Sequence, residues 1–302
     1  MDLKSKIILI AGPTASGKSK FAIKFAKKIN GEIINADSMQ VYKELSILTA
    51  RPKKEDLKKI KHHLYGFQTV KRNFSTGNWL KLVKTKIKQI KKKKMTPILV
   101  GGTGLYFKAL THGLVKMPKI PLRFRNNIRK LHKKKGQSIF HKELIKLDPL
   151  AKNKINPNDA QRSIRAYEIK KYSKKSIFKF FKETNNSFFD KDFFKIYIEF
   201  PRSELIKRID KRVDKIFKAG VTNEVKSFLK HKVNKDKSVA KVIGLNEIEK
   251  YLKKELNLSQ TKELISIKTR QYAKRQTTWA RGQMSNWQKI DYKDLNSLLK
   301  KI

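Results

Sequence analysis

Residues 7–19 read IILIAGPTASGKS and decide how the chain begins. The apolar run Ile7–Ile10 predicts a buried strand, and apolar side chains at every third or fourth position from Lys18 to Ile29 predict an amphipathic helix. Between them, Gly12–Ser19 matches every fixed position of the G-x-x-x-x-G-K-[ST] loop. A strand, a glycine-containing loop and a helix in this order predict a phosphate-binding loop.

Each part of the loop has a chemical reason. Its backbone N–H groups can surround a phosphate at the N-terminus of the helix, where the helix dipole also favours an anion. Lys18 would add a positive charge next to the phosphates, and the Ser19 hydroxyl suits a magnesium (Mg²⁺) ligand. The loop alone predicts a site for a diphosphate or triphosphate and leaves the reaction open.

Strands and helices continue to alternate after this loop. Further strands are predicted at Glu32–Ala36, Pro97–Val100, Lys195–Phe200 and Trp287–Ile290. Further helices are predicted at Trp79–Lys94, Leu105–Leu110 and Ser203–Lys218. This alternation predicts an α/β fold with a P-loop-type, doubly wound parallel sheet.

The alternation is interrupted by one long segment without a convincing strand. Residues 116–189 hold basic helices with interleaved aromatic residues. We therefore predict an inserted all-helical domain at 116–189 and an α/β catalytic core formed by residues 1–115 and 190–302.

The composition points to a polyanionic partner. The 302 residues include 74 Lys and Arg against 25 Asp and Glu, a formal charge of +49, which is typical of nucleic-acid binding and less often of binding to an anionic membrane surface. The absence of Cys excludes disulfides, thiolate zinc sites and a Cys nucleophile. No apolar run is long enough for a signal peptide or a membrane span, so we expect a cytoplasmic protein that does not bind membranes.

Two further segments follow predicted strands. Asp37 would lie at the carboxyl end of a strand, where it could hold Mg²⁺, act as a general base or cap a helix. Gly101–Gly104 would form either a loop that contacts substrate or a tight turn. The strand before it ends without the acidic residue typical of nucleoside triphosphatases. The pair His62-His63 is interpreted as a loop or packing pair, since the His residues show no metal-ligand spacing.

Three groups of Arg residues are candidates for anion or RNA binding. Arg162 and Arg165 would share one face of a helix capped by Asn158 or Asp159, with Ile169 on the same side; this face could grip phosphates or simply be solvated. Two further Arg side chains, Arg208 and Arg212, could clamp an anion beside the phosphate loop or pair with nearby Asp residues. A third, basic and aromatic group lies near the C-terminus and consists of Arg275, Trp279 and Arg281.

Five segments, taken together, resemble one family. They are Gly12–Ser19, Asp37–Tyr42 (DSMQVY), Leu99–Leu110 (LVGGTGLYFKAL), Asn158–Arg165 and Ala273–Arg281 (AKRQTTWAR). In this order they are similar to the isopentenyl-tRNA transferases, also called the tRNA dimethylallyltransferase or IPP transferase family. The resemblance covers almost the whole chain. It implies transfer of a dimethylallyl group from dimethylallyl diphosphate to N6 of adenosine 37 in tRNAs that read codons beginning with U.

The resemblance also implies roles for individual residues. The donor diphosphate would bind to Gly12, Pro13, Thr14, Ala15, Ser16, Gly17, Lys18 and Ser19. Catalysis would use Asp37 as the base, Thr14 to orient substrate and Arg212 to stabilise the leaving group, with Mg²⁺ as cofactor and Ser19 as its ligand. The inserted domain would grip the tRNA anticodon stem-loop, and the enzyme would be a monomer. The tRNA contacts would be Asp37, Ser38, Met39, Gln40, Thr103, Arg125, Gln161, Arg162, Ser163, Ile164 and Arg165.

The sequence departs from the family at two places, and two other classes of function remain open. Leu48–Pro52 reads LTARP, where the family usually has Gly-Thr-Ala-Lys-Pro. Leu245 and Asn246 follow Gly244, where the family commonly has Tyr and a basic residue. A small-molecule kinase would share the phosphate loop but would not need the high charge. A non-catalytic RNA-binding protein would explain the charge but not an intact phosphate loop with Asp37 nearby.

Overall fold

The computed structural model describes residue 3 and residues 5–181, 186–235 and 237–302. These residues form two compact units. The first unit consists of residues up to Thr111 and from Phe188 onward, and the second unit consists of His112–Ser187.

The first unit is built on one sheet of six parallel strands in the order β3-β2-β4-β1-β5-β6. The strands are β1 (Ile7–Ala11), β2 (Gly31–Asn35), β3 (His62–His63), β4 (Thr96–Gly101), β5 (Phe193–Glu199) and β6 (Gln288–Asp291). The predicted α/β fold with a parallel sheet is therefore confirmed, and each predicted strand is present to within two residues. The interpretation of His62-His63 as a loop was wrong, because these residues form a short edge strand paired with Ile33 and Ile34. The alternative of a packing pair is not contradicted, since the centroid of the His62 ring lies 5.5 Å from that of the Tyr65 ring.

Twelve α-helices accompany the sheet in the described residues. They are α1 (Lys18–Lys28), α2 (Lys54–Lys59), α3 (Thr76–Lys92), α4 (Gly104–Thr111), α5 (Leu122–Leu147), α6 (Ala160–Ser173), α7 (Ile177–Phe181), α8 (Arg202–Lys218), α9 (Val221–Leu229), α10 (Leu245–Leu252), α11 (Leu258–Gln283) and α12 (Leu295–Lys300). Helix α5 is kinked at Gly136, whose φ of 75° is not helical.

Successive residues of the central strands pack on opposite faces of the sheet. On β1, Ile7 and Leu9 belong to a core that includes Trp79 of α3, whereas Ile8 and Ile10 belong to a core that includes Phe25 of α1. The period of two follows from strand geometry, and helices on both faces are what an all-parallel sheet requires. In the strand register, Ala11 of β1 pairs with Gly101 of β4 and Asn35 of β2 pairs with Val100 of β4, so the three strands end at the same edge of the sheet.

The second unit has its own core within residues 112–187. Phe140 and Leu144 of α5 pack with Ala166 and Ile169 of α6, and all four side chains are buried. The described residues of this unit contain no strand. In the described part of the whole chain, no helix is both long and apolar enough to cross a membrane.

Candidate active site

The phosphate loop joins β1 to α1 as the sequence predicted. Gly17 precedes α1 with φ 86°, a left-handed conformation that glycine adopts without strain. The Lys18 Nζ group donates a hydrogen bond back across the loop to the Pro13 carbonyl, 3.0 Å away. Burial lowers the pKa of Lys18 to about 8; the Asp37 carboxylate raises this pKa and the Arg212 guanidinium lowers it. The loop therefore holds a cation whose charge an arriving anion would stabilise.

Helix α8 brings a second cation to the same loop. Arg212 Nη1 donates to Thr14 Oγ1 at 3.2 Å, and Nη2 donates to the Thr49 carbonyl at 3.4 Å. Burial lowers the pKa of Arg212, and the nearby Asp37 carboxylate opposes this shift. Of the two interpretations left open by the sequence, the structure favours a clamp beside the loop, since Asp214 pairs with Lys262 instead.

Asp37 lies directly beyond β2, at the edge of the sheet where the phosphate loop begins. Its backbone N–H donates to Asn35 Oδ1 at 2.8 Å, and its Oδ1 accepts from the Met39 N–H at 2.9 Å. These bonds close a turn, and no helix starts here, which excludes the helix-cap interpretation. The Asp37 charge acts on the pKa of both Lys18 and Arg212, so an acid and two cations share one site.

The loop after β4 completes this edge. Thr103 Oγ1 accepts from the Ser38 N–H at 2.9 Å, and the Thr103 N–H donates to the Ala36 carbonyl at 3.2 Å. At Gly104 an added Cβ would lie 2.3 Å from Trp279 Cε3, a distance that a real side chain cannot reach. Gly101–Gly104 is thus a tight turn that also places Thr103 beside Ser38.

Gln276 of α11 is a site residue that sequence reasoning missed. Its Oε1 accepts from the Thr14 N–H at 2.8 Å, and its Nε2 donates to the Gly102 carbonyl at 2.9 Å. One amide side chain therefore connects the phosphate loop to the loop after β4. The segment Ala273–Arg281 contained this residue, but a single sequence offered no sign that its amide bridges two distant loops.

Three tyrosines close to Asp37 were also missed. Burial raises the pKa of Tyr65, Tyr106 and Tyr272, and the Asp37 carboxylate raises each further. Their phenols consequently stay protonated at pH values at which a free tyrosine would ionise. Tyr106 is held by stacking on the Trp79 ring, with 4.1 Å between ring centroids.

Gln40 and Met39, like Asp37, Ser38 and Thr103, make contacts inside the first unit. Gln40 Nε2 donates to the carbonyls of Thr49 at 2.9 Å and Ala50 at 3.2 Å. Met39 is half-buried against the apolar core that contains Val41. Their roles in RNA binding stay predictions. At the departure from the family, Leu245 is buried in the same core and Asn246 is exposed.

The remaining predicted tRNA contacts belong to the second unit. Asp159 caps α6 by accepting from the Arg162 N–H at 2.9 Å, and the Arg162 side chain is 73% exposed. Gln161 is exposed and Ile164 is half-buried, whereas Ser163 is buried and its Oγ accepts from Gln137 at 3.2 Å. Their RNA contacts also stay predictions.

The predicted division of helix α6 into an apolar face and an arginine face needs one correction. Ile169 is fully buried, although the helical pattern put it on the arginine side. Arg165 turns its Nη1 toward Glu168, which is itself buried and also accepts from Arg125 Nε. The buried face of α6 is therefore wider than its apolar residues indicate.

The site has oxygen donors that suit Mg²⁺. In the described residues, no group of three or more His, Cys, Asp or Glu side chains could hold a metal ion. Ser19 is exposed at the start of α1 and Asp37 lies at the same edge of the sheet. Mg²⁺ is commonly bound by one or two protein oxygens together with substrate phosphates and water, and this donor set fits that pattern.

Comparisons with known proteins agree with this geometry. The family model described as IPP transferase matches residues 40–283. The chain is 58% identical over 302 residues to a tRNA dimethylallyltransferase of Pelagibacter ubique (strain HTCC1062), covering 100% of this chain and 96% of that protein. It is 44% identical over 290 residues to the tRNA dimethylallyltransferase of Rickettsia massiliae (strain Mtu5), covering 96% of this chain and 80% of that protein.

Solved structures show the same fold. The tRNA isopentenylpyrophosphate transferase of Bacillus halodurans superimposes with a TM-score of 0.70 at 30% identity, covering 98% of this chain and 95% of that chain. A eukaryotic dimethylallyltransferase acting on tRNA gives a TM-score of 0.81 at 29% identity, covering 96% of this chain and 75% of that chain. The phosphate loop precedes the region matched by the family model and so supports the assignment separately. The chain belongs to the IPP transferase family.

Proposed function

We propose that this chain transfers a dimethylallyl group from dimethylallyl diphosphate to N6 of adenosine 37 in tRNAs that read codons beginning with U. The observation that carries the proposal is the meeting of one carboxylate, Asp37, with two cations, Lys18 and Arg212, at a phosphate loop. A displacement reaction needs such a pair of functions, because one group must remove a proton and others must stabilise a leaving anion.

The cations act on the leaving diphosphate. As the bond between the allylic carbon and the diphosphate oxygen breaks, negative charge accumulates on that oxygen, and the loop N–H groups, Lys18 and Arg212 stabilise it. The Thr14 hydroxyl accepts a hydrogen bond from Arg212, and the Thr14 N–H donates one to Gln276. Thr14 is therefore fixed in place and orients the diphosphate. Magnesium bound at Ser19 would supply further stabilisation of the same charge.

Asp37 acts on the nucleophile. The N6 amine of adenine is weakly nucleophilic, and it must lose a proton as its bond to the allylic carbon forms. The Asp37 carboxylate accepts this proton. Thr103 lies beside Ser38 in the adjoining turn and orients the base, which has to leave the stack of the anticodon loop to reach the site.

The second unit provides the grip on RNA. Arg125 and residues 161–165 would bind the anticodon stem-loop, in which single-stranded bases and phosphates are recognised by Arg stacking and hydrogen bonding. We further propose that the enzyme is a cytoplasmic monomer, since nothing in the reaction calls for a second subunit or for a membrane.

Nucleoside analysis tests this proposal. The purified protein is incubated with dimethylallyl diphosphate, Mg²⁺ and unmodified tRNA that reads a codon beginning with U, and the tRNA is then digested for mass spectrometry. The expected product is adenosine carrying one dimethylallyl group, absent when adenosine 37 is replaced by guanosine. Absence of the product with the matched tRNA would refute the proposal.

ATP separates this function from a kinase. Non-reactive ATP analogues should compete poorly with dimethylallyl diphosphate at matched concentration, and Lys18→Ala should weaken use of the prenyl donor because the leaving group loses a nearby cation. ATP hydrolysis coupled to turnover would support a phosphoryl-transfer enzyme instead.

A further inference from the structure

One buried carboxylate in the second unit is surrounded by three arginines. The side chain of Glu168 on α6 is 1% exposed. Its Oε2 lies 3.2 Å from Arg125 Nε and 3.2 Å from Arg165 Nη1, and its Oε1 lies 3.8 Å from Arg129 Nε. We call Arg125, Arg129 and Arg165 the arginine cluster.

The arginine cluster keeps much of its hydrogen-bonding capacity for a ligand. Its three side chains are 36%, 44% and 35% exposed, respectively. Arg125 donates to Glu168 through Nε, and the ion pair of Arg129 with Glu168 is also through Nε, which leaves the terminal Nη groups without a hydrogen bond to Glu168 in the described structure. A guanidinium has five N–H donors in a fixed plane, which suits phosphate oxygens and the edges of bases.

The charges explain why a carboxylate belongs there. Three guanidinium groups around one point repel one another, and their flexible side chains would spread into solvent. The buried Glu168 offsets one of the three charges. It holds Arg125 and Arg165 by hydrogen bonds to Oε2, and it attracts Arg129 by charge alone, since Oε1 accepts no hydrogen bond from the described residues. The result is a preorganised surface with a net charge of about +2.

We propose that Glu168 is a positioning residue that holds the arginine cluster ready to bind the phosphates and unstacked bases of a single-stranded RNA loop. The inference rests on the proposed function. It adds Arg129 as an RNA contact and Glu168 as the residue that positions the arginine cluster. It makes an unusual claim, because an acidic residue strengthens the binding of a polyanion.

A variant of Glu168 can distinguish an effect of positioning the arginines from an effect of net charge. Glu168→Gln keeps the shape of the side chain and raises the net charge of the protein by one. If charge alone governed affinity, this variant would bind RNA more tightly, since binding of a polyanion strengthens with the number of neutralising cations. Positioning predicts the opposite result, weaker binding despite the added positive charge.

The matched control is Glu143→Gln, in the same unit. Glu143 forms an ion pair with Lys135 and does not contact the arginine cluster in the described structure. Both variants change the charge equally. Binding of the anticodon stem-loop is measured by filter binding at two salt concentrations, together with kcat and KM for tRNA and with thermal unfolding.

We expect Glu143→Gln to bind at least as tightly as the unchanged protein. Glu168→Gln should bind about tenfold more weakly, the loss of about one charge-assisted contact. Its salt dependence should be shallower by about 0.7 per lost phosphate contact, and its KM for tRNA should rise with little change in kcat. Equal affinity of the two variants would overturn the inference.

A second pair of variants covers the case in which Glu168→Gln does not fold. Arg129→Gln leaves two arginines to pair with Glu168, and Lys130→Gln removes the same charge from an exposed neighbour. The inference requires weaker stem-loop binding by Arg129→Gln than by Lys130→Gln, and equal binding would refute it. If the unchanged protein fails to bind the stem-loop or to prenylate tRNA, the proposed function itself fails, which is a different outcome.

Discussion

Replacement of Asp37 by Asn tests the catalytic assignment directly, because the structure separates two roles of this side chain. Oδ1 accepts the Met39 N–H at 2.9 Å and so stabilises the turn after β2. An asparagine oxygen can keep that bond, but its amide cannot accept the proton. A general base contributes about 10²- to 10⁴-fold, or about 2.7–5.4 kcal/mol at about 1.36 kcal/mol per factor of ten.

Asp37→Ala removes the turn bond as well. A hydrogen bond of this kind contributes about 0.5–1.5 kcal/mol, or at most about tenfold, so the alanine variant should be slower than the asparagine variant by no more than that factor. The loss that both variants share is the contribution of the base.

The electrostatics of the site predict that the Asp37→Asn substitution, although it slows catalysis, does not weaken binding of the diphosphate. The Asp37 carboxylate raises the pKa of Lys18 and Arg212, which means that it stabilises their charged forms. Without it, the two cations interact with the diphosphate alone. At a pH well below the pKa of Lys18, where both cations stay charged, Asp37→Asn should therefore bind a non-reactive diphosphate analogue as tightly as the unchanged enzyme or more tightly. Single-turnover prenyl transfer and analogue binding measure the two effects separately. A near-normal single-turnover rate for Asp37→Asn would refute the assignment of Asp37 as the base.

Three further expectations follow from the site and the second unit. Because the pKa of Lys18 is about 8, analogue affinity should be flat between that pH and about pH 6, where the terminal phosphate of the ligand takes up a proton. Above about pH 8 it should fall by about tenfold per pH unit, as neutral Lys18 must first take up a proton; Lys18→Arg should flatten this upper limb, and an unchanged profile would contradict the assignment. Gln276→Met removes both bridging hydrogen bonds and leaves two half-buried partners, the Thr14 N–H and the Gly102 carbonyl, without the amide. It should destabilise the fold by about 0.5–1.5 kcal/mol per lost bond in a denaturant titration and raise the KM for the prenyl donor, and a variant with neither change would show that the bridge is dispensable. Replacing Arg162 and Arg165 by Ala should weaken stem-loop binding more than replacing two lysines of Lys91–Lys94, with little effect on donor use at saturating RNA; equal losses in a two-salt titration would show that the arginines contribute only a diffuse positive field.

The sheet could be predicted from the sequence because its strands are short apolar runs that end at glycine or at polar residues. His62–His63 could not, since two residues carry no periodicity and their pairing with β2 depends on the rest of the sheet. The phosphate loop and Asp37 could be predicted for a similar reason, because each immediately follows a recognisable strand.

The contacts that complete the site depend on residues far apart in the chain. Gln276 reaches the phosphate loop from α11, and Arg212 reaches it from α8, and helical periodicity says nothing about which distant loop a side chain meets. Glu168 shows the same limit in the second unit. A charged residue on a helix is normally predicted to be solvated, and its burial follows from arginines that α5 supplies.

The position of β1 in the sheet has a consequence for how the protein is synthesised. Ile7 of β1 pairs with Phe193 of β5, so the first strand made acquires that neighbour after the whole second unit has left the ribosome. The second unit is one continuous segment and can fold earlier through contacts between nearby residues, which form quickly. Until β5 emerges, the nascent sheet exposes the open edge of β1, the kind of surface that pairs with other chains. In pulse proteolysis of stalled nascent chains, residues 112–187 should therefore become protected before the phosphate loop does, and the reverse order would contradict this sequence of events.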